Sequence, residues 1–571
     1  MAINLQTNRR FFFILFLTFA ATAVVTLILS AAPPRIPQLN LAREKISQWA
    51  TLATFALATM AAMSFAISHI LFALQGRCNL LALSANPFRV NSPRETRLMP
   101  YLLCGVLALA LFSQTLWNVR APMDWDELDT ATRLISPELA PLDEKSPYGN
   151  RDVISPTKNT RNHAMANVAA LISLKILGTS DVAARLPSLF FTLLFLGVLC
   201  TIGAFTAGAN PLALTLAHLT ANGMFLWYTH SMRGYISMSL FTGICLFLLM
   251  DSPLSKNRLS SVALFLCGIG TAVTHTFGAI FFLILLTSYL FWVSIHAARW
   301  SVSELKTHVT KLIAGILAVP FILFILMKQY FFLSRIGFLY SSITPEKTDT
   351  FLSVLGIGFA PTAWILAVFL AILVIVRIQQ RQELDLLSLF LGLSTVSIGF
   401  LILTLKATLF EARFLLAFLL PLLLWTASTM EAVKNPVLKG VLATTWAALF
   451  IVLPLLGRPD IYAGRIARMG QYGDFIKHVH DITEGVPKGC ITASGEIDQT
   501  LFSNGFYFKA AAANLPPQCP RQFHLHFSRD WKGEHPLAPA QLSQMRERYH
   551  DGFGRYVYEK QTARPNRLAK K

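Results

Sequence analysis

Four carboxylates fall within six positions, Asp124, Asp126, Glu127 and Asp129, in the run Ala121-Pro-Met-Asp-Trp-Asp-Glu-Leu-Asp-Thr130. The run follows directly on an apolar stretch of membrane-spanning size. Carboxylates crowded at an apolar boundary repel one another and are partly desolvated, which suits them to hold a proton or a cation. Carboxylates in this state favour the role of a base or of a ligand to a cation. Trp125, Leu128, Thr132 and Ile135 recur at helical spacing, which predicts a helix lying along the interface. A solvated acidic loop capping a helix N-terminus needs the same residue types. The acids alone do not decide between the two.

Cations and rings complete a possible site. Arg185 heads an apolar run; Tyr228, His230, Arg233 and Tyr235 lie between two more; His275 sits between a third pair; Lys406, Glu411 and Arg413 lie between a fourth. Ionisable groups at a membrane edge are functional candidates by default. Taken singly, each is equally well an interfacial anchor that extends its charged tip to water.

The elements that must carry these residues are membrane helices. Of 571 residues, 54% are hydrophobic and 14% charged, with a mean hydropathy of +0.52. The net charge of +19 belongs to loops rather than to nucleic-acid recognition, because apolar runs of about 20 residues recur along the chain. With 43 Phe and 10 Trp the chain is not disordered, and seven Cys without a CxxC pair offer neither a disulfide-stapled mini-scaffold nor a zinc site. About thirteen spans are expected: Phe11–Ser30, Ala50–Leu74, Pro100–Trp117, Leu186–Ala207, Pro211–Trp227, Ile236–Met250, Ser260–Val273, Phe277–Ile295, Leu312–Phe332, Phe351–Val376, Leu384–Leu405, Phe414–Met430 and Val437–Leu456. Ala164–Leu177 is short for a span and is expected as an interfacial or re-entrant helix.

Arg9 and Arg10 before the first span start the chain in the cytoplasm by the positive-inside rule. Parity then makes the loops bearing Arg77, Arg89, Lys256, Arg258, Arg299, Lys306, Arg377, Arg381, Lys434 and Lys439 cytoplasmic. A signal peptide at Phe11–Ser30 would invert that pattern, and its apolar part exceeds the roughly 7–15 residues usual for one. The expected organisation is an N-terminal extension with two spans (1–99), a transmembrane catalytic domain (100–456) with an outer loop (118–185), and a small α/β domain outside the membrane (457–571).

Several short motifs resemble a known family in their order. Asp126-Glu127 after a long span, His163-Ala-Met-Ala-Asn, Gly178-Thr-Ser-Asp-Val-Ala-Ala-Arg-Leu-Pro-Ser188, Ser231-Met-Arg-Gly-Tyr235, Thr274-His-Thr-Phe-Gly278 and Glu411-Ala-Arg-Phe414 resemble landmarks of GT-C class membrane glycosyltransferases. The similarity is to family 39, which includes protein O-mannosyltransferases and lipid A aminoarabinose transferases, and it covers roughly Pro100 to Met430. The family often has His-Pro-Pro or Lys-Pro where this chain has His163-Ala164-Met165, and two extra spans precede the matching segment.

The resemblance implies a GT-C-like bundle at the plasma (inner) membrane. It also implies transfer of a sugar from a polyprenyl-phosphate donor to a hydroxyl or phosphate of a lipid, glycan or protein acceptor outside the membrane. On that footing Asp126, Glu127 and Asp124 are catalytic, with Asp126 the general base, Glu127 and Asp124 supporting it, and Asp126 and Glu127 the pair that would hold a divalent cation if one is used; Arg185, Arg233, Tyr235, His163, His275 and Arg413 bind substrate. No cofactor is implied beyond a possible divalent metal cation. A transporter or flippase of lipid-linked substrates, or an assembly protein whose tail binds a partner, would use a similar composition, although no paired repeat of the transporter kind is visible.

In the tail only Cys490 and Cys519 are available. A tail outside the membrane stands in an oxidising compartment, where two cysteines pair; two buried thiols are the alternative. His478, His480, His524 and His526 are read as structural.

Overall fold

The computed structural model describes residues 98–119, 127, 130, 131, 134, 154–156, 163–178, 180–203, 209–250, 258–297, 300–335, 361–379, 385–404, 416–458, 478–479, 481–482, 486, 490–495, 519, 521–527, 544–550 and 555–560. The helices are α1 (Leu98–Asn118), α2 (Ala164–Leu177), α3 (Asp181–Ile202), α4 (Ala209–Ala221), α5 (Gly223–His230), α6 (Tyr235–Leu249), α7 (Arg258–Thr274), α8 (Thr276–His296), α9 (Val302–Arg335), α10 (Pro361–Gln379), α11 (Leu386–Thr404), α12 (Leu416–Glu431), α13 (Pro436–Ala447) and α14 (Leu453–Arg458). A π-helical segment, Ala448–Val452, joins the last two. Both spans expected before residue 98 lie outside the described residues.

Among the described residues, five helical stretches are long and apolar enough to cross a bilayer: Pro100–Asn118, Asp181–Ile202, Thr276–His296, Val302–Gln329 and Pro436–Leu455. α5 and α6 form a sixth, bent by 101° at its break. Burial follows the lipid solvent. α8 is the central rod, with 78% of its apolar window inside, whereas α1, α9 and α13 turn residues such as Leu109, Leu317 and Val441 outward. Apolar side chains on both the inside and the outside of one bundle are what a hydrocarbon environment permits.

Several boundaries differ from the sequence expectation: α3 runs over Asp181–Ile202 rather than Leu186–Ala207, and the span expected over Pro211–Trp227 is divided at Asn222. α9 begins at Val302 rather than at Leu312, because Ser301 and Glu304 form a capping box: the Ser301 backbone N–H donates to Glu304 Oε2 at 2.9 Å and the Glu304 N–H to Ser301 Oγ at 3.3 Å. The turn expected over Tyr228–Tyr235 shrinks to Ser231–Gly234, because α5 runs on to His230. The non-helical residue before α5 is Asn222, whose side chain caps the Phe225 N–H at 2.9 Å.

After α14 comes a four-stranded sheet of β1 (Ile491–Gly495), β2 (Phe523–Phe527), β3 (Met545–His550) and β4 (Arg555–Lys560), in the order β1-β2-β4-β3. β1 and β2 are parallel with Ile491 opposite Phe523, and β4 runs antiparallel to β2 and β3. Parallel strands in register start side by side, so the residues preceding them are close. Cys490 and Cys519 form a disulfide there. His524 and His526 are two apart on β2 and share a face, opposite Tyr558 and Tyr556. Among the described residues no group of three His, Cys, Asp or Glu side chains is placed to hold a metal.

Two outcomes follow for this sheet. The disulfide closes a separation of 29 residues, for which the chain-entropy model gives about 3–4 kcal/mol; reduction, or Cys519→Ser, is expected to lower the unfolding midpoint of the tail, and alkylation before reductant is expected to leave both thiols unlabelled. Burial pushes the His524 imidazole below its ordinary value of 6.5. The unfolded chain therefore binds that proton more readily, so stability is full above 6.5 and falls as the pH drops below it. A pH series of tail unfolding, with His524→Gln flattening the acid side, checks the sign.

Candidate active site

The helix alternation brings the C-terminal ends of α1, α5 and α7 together with the N-terminal ends of α3, α6 and α8. Arg185 reaches this end because Ser180 caps α3, accepting the Ala183 N–H at 3.1 Å, which puts residue 185 in the second turn. Pro187 lies inside α3 and has no N–H for the Ala183 carbonyl. Ser173 of α2 donates its hydroxyl to that carbonyl at 2.5 Å, tying α2 to α3.

Glu127 is helical and fully buried, as are its helical-face neighbours Ala131 and, more loosely, Thr130 and Leu134. Its carboxylate takes a two-pronged hydrogen bond from Arg185, through Nε at 3.1 Å and through Nη2. Both side chains of this ion pair have no solvent exposure. Glu127 also accepts the backbone N–H of Met232, inside the break between α5 and α6. Several other groups at and beside the break are also met. Ser188 of α3 donates to the Ser231 carbonyl at 2.6 Å, Thr192 to the Thr229 carbonyl at 3.0 Å, and Thr115 of α1 to the Thr229 hydroxyl at 2.9 Å. Non-helical backbone at membrane depth survives only where side chains meet its polar groups.

Gly234 ends the break, and a Cβ there would stand 2.8 Å from the Thr274 carbonyl oxygen and 3.1 Å from His163 Nδ1. Only glycine permits that approach. The Gly234 N–H donates to His163 Nδ1 at 3.2 Å, and the Phe277 N–H donates to His275 Nδ1 at 3.1 Å. In the neutral ring each bond fixes the tautomer, leaving the proton on Nε2 as a donor. His163, Tyr235 and His275 are buried with ring centroids 4.9 to 5.3 Å apart, and Tyr228 stands 4.5 Å from Tyr235. Arg233, 4% exposed, lies between the Glu127-bound amide and the His163-bound amide.

Six of the residues expected in the site, Glu127, Arg185, Arg233, Tyr235, His163 and His275, thus belong to one connected cluster. Asp124, Asp126 and Arg413 lie outside the described residues, as do Trp125, Leu128, Thr132 and Ile135. The geometry at Glu127 does not fit a metal: its oxygens already face a guanidinium and an amide N–H, donors that a cation would repel. Sequence reasoning missed Ser173, Ser188, Thr192 and Gln329, whose Oε1 accepts from Thr276 Oγ1 at 2.5 Å. The available signal was a polar residue standing alone in an apolar helix.

These features define a polytopic helical membrane protein with a buried polar cluster at one end of its bundle and a small sheet after its last helix. In overall fold the chain is similar to two solved structures of ArnT from Cupriavidus metallidurans. One, bound to undecaprenyl phosphate, gives a TM-score of 0.48 at 13% identity over 80% of this chain and 97% of that one. The other, in the apo state, gives 0.46 at 12% identity over 81% and 98%. No family model matches the chain, and no curated protein matches it.

Removing one partner of a buried ion pair leaves an uncompensated charge, which costs about 3–5 kcal/mol. Arg185→Met is therefore expected to lower the unfolding midpoint in detergent sharply. Adding Glu127→Gln to it should recover part of the loss, so that the double change costs less than the two single changes together; strict additivity would show that the pair is not coupled.

Proposed function

We propose that the protein is a glycosyltransferase that moves a sugar from a polyprenyl-phosphate donor to an acceptor hydroxyl or phosphate at the outer face of the membrane. One observation carries this reading: the acidic segment, through Glu127, is tied to Arg185 and to the Met232 amide, in the same break that carries Arg233 and the Gly234 amide held by His163, at one end of an apolar bundle. A lipid phosphate leaving group calls for donors to its growing negative charge, and its prenyl chain calls for an apolar flank. The order of motifs that resembles family 39 agrees.

Arg185 is engaged by Glu127, and that pair is neutral as a unit. Arg233 is assigned as a cation for the donor phosphate on its place in the break, between the amides held by Glu127 and His163, with His163 and His275 donating through Nε2 and Arg413 as a further candidate from sequence. Arg185 acts by holding Glu127, and Glu127 by holding the Met232 amide next to Arg233. Asp126, adjacent to the anchored Glu127, is the base. It takes the proton from the acceptor hydroxyl as that oxygen bonds to the anomeric carbon; the bond from that carbon to the phosphate oxygen breaks, and its electron pair leaves on the phosphate.

Two features support the assigned orientation. Arg258, Lys306, Lys311, Arg377, Lys434 and Lys439 fall at or near the helix ends that the up-and-down alternation sets away from the site, as the basic residues of cytoplasmic loops do. The Cys490–Cys519 bond suits a tail in an oxidising compartment.

The test is transfer by the purified protein from polyprenyl-phosphate sugars to membrane lipids and exported glycans. Asp126→Asn is expected to cut turnover by about 10²–10⁴ while the protein still accumulates, as loss of a general base does. Arg233→Lys should substitute poorly, because a guanidinium contact to phosphate is geometric as well as electrostatic. Near-normal turnover in Asp126→Asn would remove it from the mechanism, and lipid movement without sugar transfer would favour a flippase.

A further inference from the structure

At the C-terminal end of α5 nearly every polar group has a partner: the carbonyls of Thr229 and Ser231 are bound by α3, the Thr229 hydroxyl by α1, and the Met232 amide by Glu127. His230 and Ser231 are the exceptions. His230 Nδ1 lies 3.0 Å from the Leu226 carbonyl oxygen, which accepts and so fixes the ring proton on Nδ1. Nε2 is left as a bare acceptor, the opposite tautomer from His163 and His275. The ring is 1% exposed and packs edge-on against Trp227, and neither its Nε2 nor the buried Ser231 Oγ has a hydrogen-bond partner among the described residues. An unmet buried polar group costs roughly 1–3 kcal/mol, and native structures hold few of them. Two in succession, beside the Met232 amide that Glu127 binds and one turn from the site rings, mark a place where a ligand supplies what the protein lacks.

A bare imidazole nitrogen accepts and a serine hydroxyl both gives and accepts. Neither pairs with a phosphate as well as Arg233 and the Nε2–H donors do, and the nitrogen lone pair repels one. The complement is a hydroxyl. We propose that His230 Nε2 accepts a hydrogen bond from a hydroxyl of the transferred sugar, with Ser231 Oγ beside it, so that His230 is a specificity-determining residue of the donor site. This rests on the polyprenyl-phosphate reading above and adds to it a division of labour: donors read the phosphate and His230 reads the sugar.

The experiment compares binding of two probes to the full-length protein in nanodiscs: a short-chain polyprenyl phosphate, and the same lipid carrying hexoses or pentoses. Wild type is expected to bind one sugar-bearing lipid more tightly than the bare one. In His230→Phe, which keeps the ring against Trp227, the bare lipid should bind as before, while the sugar-dependent gain falls by roughly 3- to 10-fold, the worth of one neutral hydrogen bond. His230→Gln, which carries an amide oxygen near the Nε2 position, should restore part of it. Of the monodeoxy sugars, one should bind wild type more weakly than its parent yet bind His230→Phe equally.

An unchanged sugar gain in His230→Phe overturns the proposal while leaving the phosphate reading intact. Failure of wild type to bind either lipid overturns both. Nitrogen NMR of wild type labelled in histidine stands apart from any variant that fails to fold: a proton on Nδ1 of His230 supports the assignment, and one on Nε2 overturns it.

Discussion

The site end of this protein depends on one buried ion pair. Glu127 and Arg185 stand 58 residues apart in sequence and meet with no exposure on either side chain. Inside a bilayer neither charge has water to return to, so each fixes the other, and the carboxylate has enough lone pairs left to hold the Met232 amide as well. That third contact matters most for architecture. It anchors the break at which the α5–α6 span turns through 101°, and the break carries Arg233, Gly234 and Tyr235 to the cluster.

A similar rule operates at the opposite end with a different purpose. Arg377 binds Asp385 at 2.7 Å and Thr429 at 3.1 Å, while Asp385 caps α11 through the Ser388 N–H at 2.7 Å. Here the pair is partly exposed, at 12% and 5%, and it fastens α10, α11 and α12, with the Arg377 guanidinium 5.8 Å from the centre of the Trp425 ring. Within the bundle, His218 of α4 contacts the Phe450 carbonyl of the π-helical segment and lies 3.1 Å from the Asn222 amide. The altered hydrogen-bond spacing of a π-helix leaves a carbonyl for such a side chain to use. Four irregularities in the helices, Pro187, Asn222, Ser231–Gly234 and the π segment, are each met by polar side chains, because lipid offers no substitute.

The histidines illustrate how backbone groups set chemistry. His163 and His275 each receive an amide N–H on Nδ1, and His230 gives its Nδ1 proton to a carbonyl. Three rings of the same residue type are thereby divided into two donors and one acceptor. No titration is required for that division; it follows from which main-chain group stands opposite each ring.

The sequence by itself determined the class of environment, the placement of apolar runs and the presence of a small sheet-bearing tail, because hydropathy and periodicity are local quantities that the bilayer and the strand pleat read directly. It also identified Arg185, Arg233, Tyr235 and His275 as polar residues at the edges of apolar runs, Glu127 within an acidic run, His163 through the order of family-like motifs, and Cys490 with Cys519 as a pair. Only the tertiary structure decided what those residues do to one another. That Glu127 is held by Arg185, that the α5–α6 turn narrows to Ser231–Gly234, that Ser173 answers Pro187, and that His230 differs in tautomer from His163 all depend on contacts between segments far apart in the chain. A residue's type states which bonds it can make; the partner within about 3 Å, which only folding supplies, selects the one it does make.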